Sequence, residues 1–227
     1  MLASKEFSAL SLLIVSERLS GLMPLLEKTQ PTCPIYCVHQ KIMDDIAGFH
    51  VHRGVLGISK RKSLPSLQNF LQSLPKKALI LVLCDISNHD NMGAIFRNAA
   101  AFASHGIIID KTSCDPLYRK SIRVSTGAAL KVPYTQGADI DDIMVALNVA
   151  DFHLYALSPS APYTLKQVKP IKRIALILGT EGDGLPSPIL QKSESLRIPM
   201  AHSFDSLNVA TATGIALAHF SDCAKLF

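Results

Sequence analysis

The sequence predicts an α/β fold, because segments with the spacing of strands alternate with segments that have the spacing of helices. Residues 79–83 form a continuous aliphatic run, which is typical of a strand buried on both faces of a parallel sheet. Met92, Ile95, Phe96 and Ala99 then recur at helical spacing, and residues 107–110 have the character of the next strand. This strand–helix–strand unit predicts a parallel sheet with a right-handed crossover.

The composition favours a polyanionic partner without identifying one. The net charge is +5 and the sequence pI is about 9.0. Lys and Arg side chains displace counterions from nucleic acid phosphates, although many proteins of mildly basic composition bind no nucleic acid. The apolar share of 48% is sufficient for one large domain, or for one domain with a smaller appendage.

The five cysteines do not form a zinc-binding set, because Cys33 and Cys37 lack a second pair or nearby histidines. We therefore expect no metal. The odd cysteine count and the lack of a recognisable signal peptide indicate a reducing compartment, so we expect a cytoplasmic protein. The apolar runs are too short for a membrane span.

A boundary is predicted in the segment 63–77, which contains Pro65 and Pro75 and ends in a basic pair. We expect a small α/β module at 1–62, a linker at 63–77 that includes a short amphipathic helix, and the main domain at 78–227. In the first module we predict strands at 10–15, 33–38 and 50–58 and helices at 20–28 and 41–47.

In the main domain the helix after residue 91 is followed by further alternating elements. We predict helices at 116–124 and 139–149, strands at 153–157, 174–178 and 196–200, and a helix rich in small residues that closes the chain.

Polar loops follow four of the predicted strands, at residues 85–91, 157–158, 179–184 and 200–208. Ligands bind at the carboxyl ends of strands in open parallel sheets, so these loops are the candidate site. Gly179, Gly182 and Gly184 have the spacing G-x-x-G-x-G, which is neither the dinucleotide fingerprint nor a P-loop. A tight strand-to-helix turn is the alternative explanation for them.

Each polar candidate also has a purely structural explanation. Asn91 has the residue type of a helix N-cap, and Arg97 could be a solvated helix residue. Ser203, Asp205 or Ser206 could cap the last helix. Glu181 is favoured electrostatically near a helix N-terminus.

Taken together, three segments resemble the motifs of the SpoU family of RNA ribose methyltransferases, within the SPOUT class. The first is Asn88-His89-Asp90-Asn91-Met92-Gly93-Ala94-Ile95-Phe96-Arg97-Asn98-Ala99. The second is Leu178-Gly179-Thr180-Glu181-Gly182-Asp183-Gly184-Leu185, and the third extends from Ile198-Pro199-Met200 to Ser206-Leu207-Asn208-Val209-Ala210. The resemblance covers roughly residues 79–220.

This resemblance implies a Rossmann-like parallel-sheet domain with a C-terminal trefoil knot, an exception to the rule against knotted chains. It also implies S-adenosylmethionine as cofactor, RNA as substrate and a homodimer. The implied cofactor-binding residues are Leu157, Ser158, Gly179, Gly182, Ile198, Met200 and Leu207. The implied catalytic residues are Asn91, Arg97, Glu181, Ser206 and Asn208.

The implied reaction is in-line attack of a ribose 2′-hydroxyl on the sulfonium methyl group. Arg97 is a poor base, because the pKa of an arginine stays above about 12. We therefore expect Arg97 to hold the adjacent phosphate and stabilise developing alkoxide charge, while a phosphate or a carboxylate takes the proton. Asn91 would donate to the hydroxyl or position Arg97.

The first seventy-odd residues resemble, more weakly, the substrate-binding module like ribosomal protein L30e that many SpoU enzymes carry. In this module the candidate RNA-binding residues are Arg53, Lys60, Arg61 and Lys62. Only about ten residues precede the point that matches Ser11, so we expect either a late start or a truncated module.

Several functions remain open at the level of sequence. Ribosomal RNA is favoured over transfer RNA as substrate, because the two-module layout resembles the ribosomal RNA enzymes; this is analogy rather than chemistry. The alternatives are a tRNA 2′-O-methyltransferase, an RNA-binding relative without transferase activity, a base methyltransferase of the same class, and a nucleotide- or nicotinamide-binding α/β enzyme.

Overall fold

The computed structural model describes residues 7–61, 63–168, 172–180, 182, 184–201 and 206–224, without the side chains of 223 and 224. The chain divides into two compact units, Met1–Ser63 and Leu64–Phe227.

Over its described residues, 7–61 and 63, the first unit is a three-stranded sheet with two helices. Its elements are β1 (Ser8–Val15), α1 (Ser16–Thr29), β2 (Ile35–Val38), α2 (Gln40–Ala47) and β3 (Val55–Lys60). The strand order is β2-β1-β3, with β1 parallel to β2 and antiparallel to β3. Its small core contains Val15, Met43 and Val51.

Asp44 ties the end of α2 to the chain that follows it. Its Oδ1 accepts hydrogen bonds from Val51 N at 2.9 Å and from Gln40 Nε2 at 2.6 Å, and its Oδ2 lies 2.6 Å from His50 Nδ1. The hydrogen bond from Val51 N, followed by that of His50, holds the pKa of Asp44 below its usual value.

The second unit is built on a seven-stranded, all-parallel sheet. Its strands are β4 (Ala78–Leu83), β5 (Gly106–Asp110), β6 (Tyr134–Ala138), β7 (His153–Leu157), β8 (Tyr163–Thr164), β9 (Arg173–Leu178) and β10 (Glu194–Arg197), and their order is β6-β5-β4-β9-β7-β10-β8. The helices are α3 (Leu67–Ser73), α4 (His89–Ala101), α5 (Arg119–Val124), α6 (Ile140–Val149), α7 (Ser187–Gln191) and α8 (Val209–Ala224). The α/β parallel-sheet prediction is confirmed.

Helices cover both faces of this sheet, because the central strands are apolar at every position. On β4, Leu79, Leu81 and Leu83 pack into one core with residues of α4 and α8. The alternate residues Ile80 and Val82 pack into a second core with residues of α3, α6 and α7. This arrangement explains why the strand shows no polar alternation.

Three elements were absent from the sequence-based prediction. Strand β6 has a polar sequence, β8 is only two residues long, and α7 is only five residues long, so none of them shows a periodic pattern. The strand predicted at 196–200 is also wrong in its bounds. It pairs with β7 from Glu194 to Leu196 and with β8 at residues 196 and 197, so it ends before Ile198.

The segment that we predicted as a linker contains the short helix α3. Ser66 caps it by accepting a hydrogen bond from Asn69 N at 3.3 Å, and Phe70 and Leu71 are buried in the core of the second unit. The trefoil knot stays a prediction, since residues 202–205, which lead into α8, lie outside the described residues.

Within the part of the chain that the structure describes, no helix combines the length and the apolar character needed to cross a bilayer.

Candidate active site

A cavity of about 400 Å³ opens where β7, β9 and β10 end. Its walls come from three stretches of chain: the residues after β7, the glycine loop after β9, and the segment from β10 to the start of α8. All seven residues predicted to hold the cofactor line it, namely Leu157, Ser158, Gly179, Gly182, Ile198, Met200 and Leu207. The structure thus gathers these seven residues at one place, and their role as cofactor ligands stays a prediction.

The glycine loop folds back on itself immediately after β9. Thr180 and Gly184 form an isolated antiparallel bridge, and Gly182 and Gly184 have φ angles of 99° and 69°. A Cβ atom on Gly179 would lie 2.7 Å from the carbonyl carbon of Gly184. Gly179 is therefore needed for the close approach of the two backbone segments, and this approach shapes one wall of the cavity.

The N-terminus of α4 places Asn91 inside the protein. The cap of α4 is Asn88, whose Oδ1 accepts from Asp90 N at 2.8 Å and from Asn91 N at 3.4 Å. The interpretation of Asn91 as the helix cap is thus wrong. Asn91 instead lies in the first turn of the helix, where it is only 6% exposed.

Asn208 links the start of α8 to Asn91. Its Oδ1 accepts from Ala210 N at 3.0 Å and from Thr211 N at 3.2 Å, so it caps the helix. Its Nδ2 donates to Asn91 Oδ1 at 2.8 Å. Because helix N–H groups require an oxygen at the cap, the amide of Asn208 has only one workable orientation.

The same network determines which amide group of Asn91 remains available for a further hydrogen bond. Its Oδ1 accepts from Asn208, and its Nδ2 has no hydrogen-bond partner among the described residues. Asn91 Nδ2 is therefore available to donate a hydrogen bond, and Asn91 lies beside Asn208, which lines the cavity.

Asn98, two turns after Asn91 on α4, fixes the register between α4 and α8. Its Nδ2 donates to Ala210 O at 2.7 Å, and it lies against Gly214, where a Cβ atom would be 3.2 Å from Asn98 Nδ2. Sequence reasoning missed this residue. Its seven-residue separation from Asn91 places both on one face of the helix, and this spacing was the available signal.

Arg97 is not brought into the cavity. Its side chain is exposed, and it lies about 120° around α4 from Asn91, since each residue advances the helix by about 100°. It forms no ion pair or hydrogen bond with the described residues. Such a position suits contact with a bound polymer rather than with a small molecule inside the cavity.

The remaining predicted catalytic residues divide into two groups. Ser206 lines the cavity together with Asn208. Glu181 lies outside the described residues, as do Ser203 and Asp205 among the residues considered as caps of α8.

Of the cations predicted to bind RNA in the first unit, the three that the structure describes stand at two ends of one strand. Arg53 precedes β3, whereas Lys60 and Arg61 stand at its far end, and the strand between them spans about 16 Å. Lys62 lies outside the described residues. Arg53 therefore lies at the opposite end of β3 from Lys60 and Arg61.

Cys84, which follows β4, is a buried thiol with a shifted pKa. Burial, with smaller contributions from Asp110 and Asp85, raises the pKa of Cys84 to about 12. The thiol is therefore protonated at neutral pH. Among the described residues, no group of three or more His, Cys, Asp or Glu side chains is placed to hold a metal ion.

Comparison with known proteins connects this geometry to one family. The model of the SpoU rRNA methylase family matches residues 78–218. An uncharacterized tRNA/rRNA methyltransferase from Mycobacterium tuberculosis is 37% identical over 222 residues, which are 95% of this chain and 75% of the relative. The 23S rRNA (guanosine-2′-O-)-methyltransferase RlmB of Escherichia coli is 30% identical over 204 residues, covering 86% of this chain and 82% of RlmB.

The fold is similarly shared with solved structures. The SpoU methyltransferase AviRb from Streptomyces viridochromogenes, in complex with the cofactor AdoMet, superimposes with a TM-score of 0.84 at 20% identity. The match covers 100% of this chain and 87% of AviRb.

Proposed function

Since the chain belongs to the SpoU rRNA methylase family, we propose that it transfers a methyl group from S-adenosylmethionine to a ribose 2′-hydroxyl of RNA. One observation supports this most directly. Asn91 and Asn208, 117 positions apart, are hydrogen-bonded to each other beside a cavity lined by the second and third motifs.

The cavity has a suitable size and chemistry for this cofactor. Its volume of about 400 Å³ lies within the range of roughly 300–1,000 Å³ that is usual for small-molecule sites. Leu157, Ile198 and Leu207 supply apolar surface for an adenine ring, and the backbone of the glycine loop supplies polar groups for the ribose and amino acid parts. When bound there, the cofactor supplies an electrophilic methyl group on a sulfonium centre.

The protein must orient the RNA hydroxyl, and a nearby base must accept its proton. We assign to Asn91 Nδ2 a hydrogen bond to the 2′-oxygen, because it is the donor that the Asn91–Asn208 pair leaves unused. We assign to Arg97 a contact with the neighbouring phosphate, because its guanidinium is exposed and unpaired within the described residues. The proton then passes to that phosphate or to a carboxylate such as Glu181, because a guanidinium group offers no acceptor for it.

Ribosomal RNA is our proposed substrate. RlmB of Escherichia coli, by its name, methylates a guanosine 2′-hydroxyl in 23S rRNA, whereas the mycobacterial relative is named for both tRNA and rRNA. We also propose that the first unit binds RNA through Arg53, Lys60, Arg61 and Lys62, in the manner of an L30e-like module. A homodimer in the cytoplasm is the expected working form.

The test uses the purified protein and labelled S-adenosylmethionine, with ribosomal RNA and tRNA in separate reactions, both taken from cells that lack the gene. After nuclease digestion of the RNA, we expect mass spectrometry to detect one labelled 2′-O-methylated nucleoside. A methylated base would contradict ribose as the acceptor, and label appearing only in tRNA would contradict ribosomal RNA.

Arg97→Ala should abolish turnover while S-adenosylmethionine binding, measured by calorimetry, is retained. Lys192→Ala is the matched control, since Lys192 is an exposed cation that pairs with Asp141 at 3.2 Å and lies outside the cavity lining. Normal turnover of Arg97→Ala would remove Arg97 from the mechanism.

A further inference from the structure

The region that follows β5 carries an unusual excess of positive charge. Residues 116–138 contain four cations, Arg119, Lys120, Arg123 and Lys131, and no Asp or Glu. Three of these cations belong to the short helix α5, where all three are exposed. A local run of this kind attracts polyanions more strongly than the modest charge of the whole chain does.

Helix α5 is fixed against the helix that carries Asn91. A Cβ atom on Gly93 of α4 would lie 2.6 Å from Ser121 O, so the two backbones touch at this point. Ser121 Oγ donates to His89 O at 3.1 Å, and Lys120 Nζ lies 2.7 Å from Asp90 Oδ2. The cations of α5 therefore have a fixed position relative to the candidate catalytic residues.

Arg97 projects from the side of α4 that faces α5. It follows Gly93 by four residues, and residues at this spacing lie on one face of a helix, one turn apart. Because Gly93 marks the point where α4 meets α5, Arg97 projects on the side of α4 that α5 occupies.

An exposed aromatic ring stands at the start of α5. The ring of Tyr118 lies 4.3 Å from that of His89, centroid to centroid, at an interplanar angle of 46°, and Tyr118 remains 47% exposed. His89 thus supports the tyrosine ring while much of its surface faces solvent. Aromatic rings beside cations are the usual means of binding unstacked bases and the backbone of single-stranded RNA.

We propose that the α5 surface, defined as Tyr118, Arg119, Lys120 and Arg123, binds the single-stranded RNA segment that flanks the nucleotide to be methylated. Tyr118 stacks on one base, and Arg123 contacts a phosphate. The proposal rests on RNA being the substrate. It adds an RNA-binding surface in the second unit to the RNA contacts that we propose for the first unit. Because Arg97 projects on the side of α4 that α5 occupies, the α5 surface and Arg97 would contact neighbouring parts of the same RNA strand.

The test measures RNA binding separately from methyl transfer. The probe is a fluorescent 12-nucleotide single-stranded RNA of mixed sequence, titrated with the full-length protein at several salt concentrations. Tyr118→Ala should weaken binding roughly 5- to 100-fold, as expected for the loss of one stacked base, while Tyr118→Phe retains it. Arg123→Ala should reduce the slope of log affinity against log salt by about 0.7.

Tyr163→Ala and Lys166→Ala are the matched controls. Tyr163 is 50% exposed on β8, at the opposite edge of the sheet from β6, and Lys166 is an exposed cation nearby. Both should bind the probe within twofold of wild type. Unchanged thermal unfolding of Tyr118→Ala and Arg123→Ala would show that a loss of binding is local.

The outcomes distinguish this proposal from the proposed function. Wild-type probe affinity in both Tyr118→Ala and Arg123→Ala would overturn the α5 surface and leave methyl transfer intact. Weakened binding in these variants, combined with no methylated nucleoside from any RNA, would uphold the surface and contradict the transferase activity. Tighter binding of a 12-base-pair RNA duplex, unaffected by Tyr118→Ala, would overturn the stacking contact.

Discussion

Asn208 Nδ2 donates a 2.8 Å hydrogen bond to Asn91 Oδ1, while Asn208 Oδ1 caps α8. One side chain therefore holds a helix terminus in place and sets the orientation of a second amide. The two functions can be separated experimentally, because aspartate accepts hydrogen bonds as asparagine does but donates none when ionised.

Asn208→Asp should retain stability and lose turnover. The carboxylate still caps α8 and is favoured by the helix dipole, but Asn91 must now turn its Nδ2 towards it. The donor assigned to the RNA hydroxyl is then lost, and kcat should fall by up to about 100-fold with little change in KM for S-adenosylmethionine. Single-turnover methylation and thermal unfolding provide the two measurements.

Asn208→Ala is the comparison, since it removes both functions. It should cost about 0.5–2 kcal/mol of stability in addition to the loss of turnover. Equal kcat in Asn208→Asp and wild type would show that Asn91 needs no orientation from Asn208.

Asn98→Ala should destabilise the second unit by about 0.5–1.5 kcal/mol, because it removes the 2.7 Å hydrogen bond from Asn98 Nδ2 to Ala210 O. Urea unfolding measures the effect. Asn148→Ala is the control, since Asn148 is an exposed asparagine on α6 without a side-chain hydrogen bond among the described residues. A change of similar size in both variants would indicate a general helix effect instead of the α4–α8 contact.

Gly179→Ala should weaken cofactor binding, because the added methyl group would lie 2.7–2.9 Å from the backbone of Gly184 and force the glycine loop outward. Calorimetric titration with S-adenosylmethionine should show a loss of at least tenfold in affinity.

Gly21→Ala, inside α1, provides the contrast for Gly179→Ala. A Cβ atom there meets nothing within 4 Å, so this variant should bind the cofactor normally and unfold at slightly higher temperature. Unchanged affinity in Gly179→Ala would show that the loop does not shape the binding site.

Cys84 should resist alkylation under native conditions, whereas Cys37, which is exposed, should react readily. The raised pKa of about 12 keeps the Cys84 thiol protonated, and only thiolates react at useful rates. Mass spectrometry after a short exposure to iodoacetamide at pH 8 distinguishes the two sites.

The raised pKa of Cys84 also predicts that the free energy of unfolding falls as the pH rises above 9. The folded-state pKa lies above the unfolded value of 9.0, so the contribution of Cys84 is fully present below pH 9 and is lost as pH rises towards 12. Cys84→Ala should therefore show a weaker decline in stability over this range than wild type. An equal decline in both proteins would contradict a contribution of Cys84 to the pH dependence of stability.

Much of the fold was predictable, because its central strands carry strong local patterns. The aliphatic runs of β4, β5 and β9 and the amphipathic stripe of α4 depend only on neighbouring residues, and all four elements appear where we expected them. Strand β6 was not predictable in this way, since a polar segment becomes a strand only by pairing with β5.

The residues of the candidate site could be predicted from the sequence, but the hydrogen bonds between them could not. The motif resemblance identified Asn91 and Asn208, but the residue type of Asn91 equally suited a helix cap. The structure assigns the cap of α4 to Asn88 and that of α8 to Asn208, and it leaves Asn91 as the partner of Asn208. Capping depends on backbone geometry at each helix start, which residue type alone does not specify.

By itself, the sequence determined the α/β class, the family and many of the residues that line the cavity, because periodicity and ordered motifs are properties of the linear chain. Only the tertiary structure decided that Asn208 orients Asn91, that Arg97 stands outside the cavity and that α5 lies against α4. These relationships depend on how α4, α5 and α8 pack against one another. Contacts between residues far apart in the chain are set by that packing, and no local pattern encodes them.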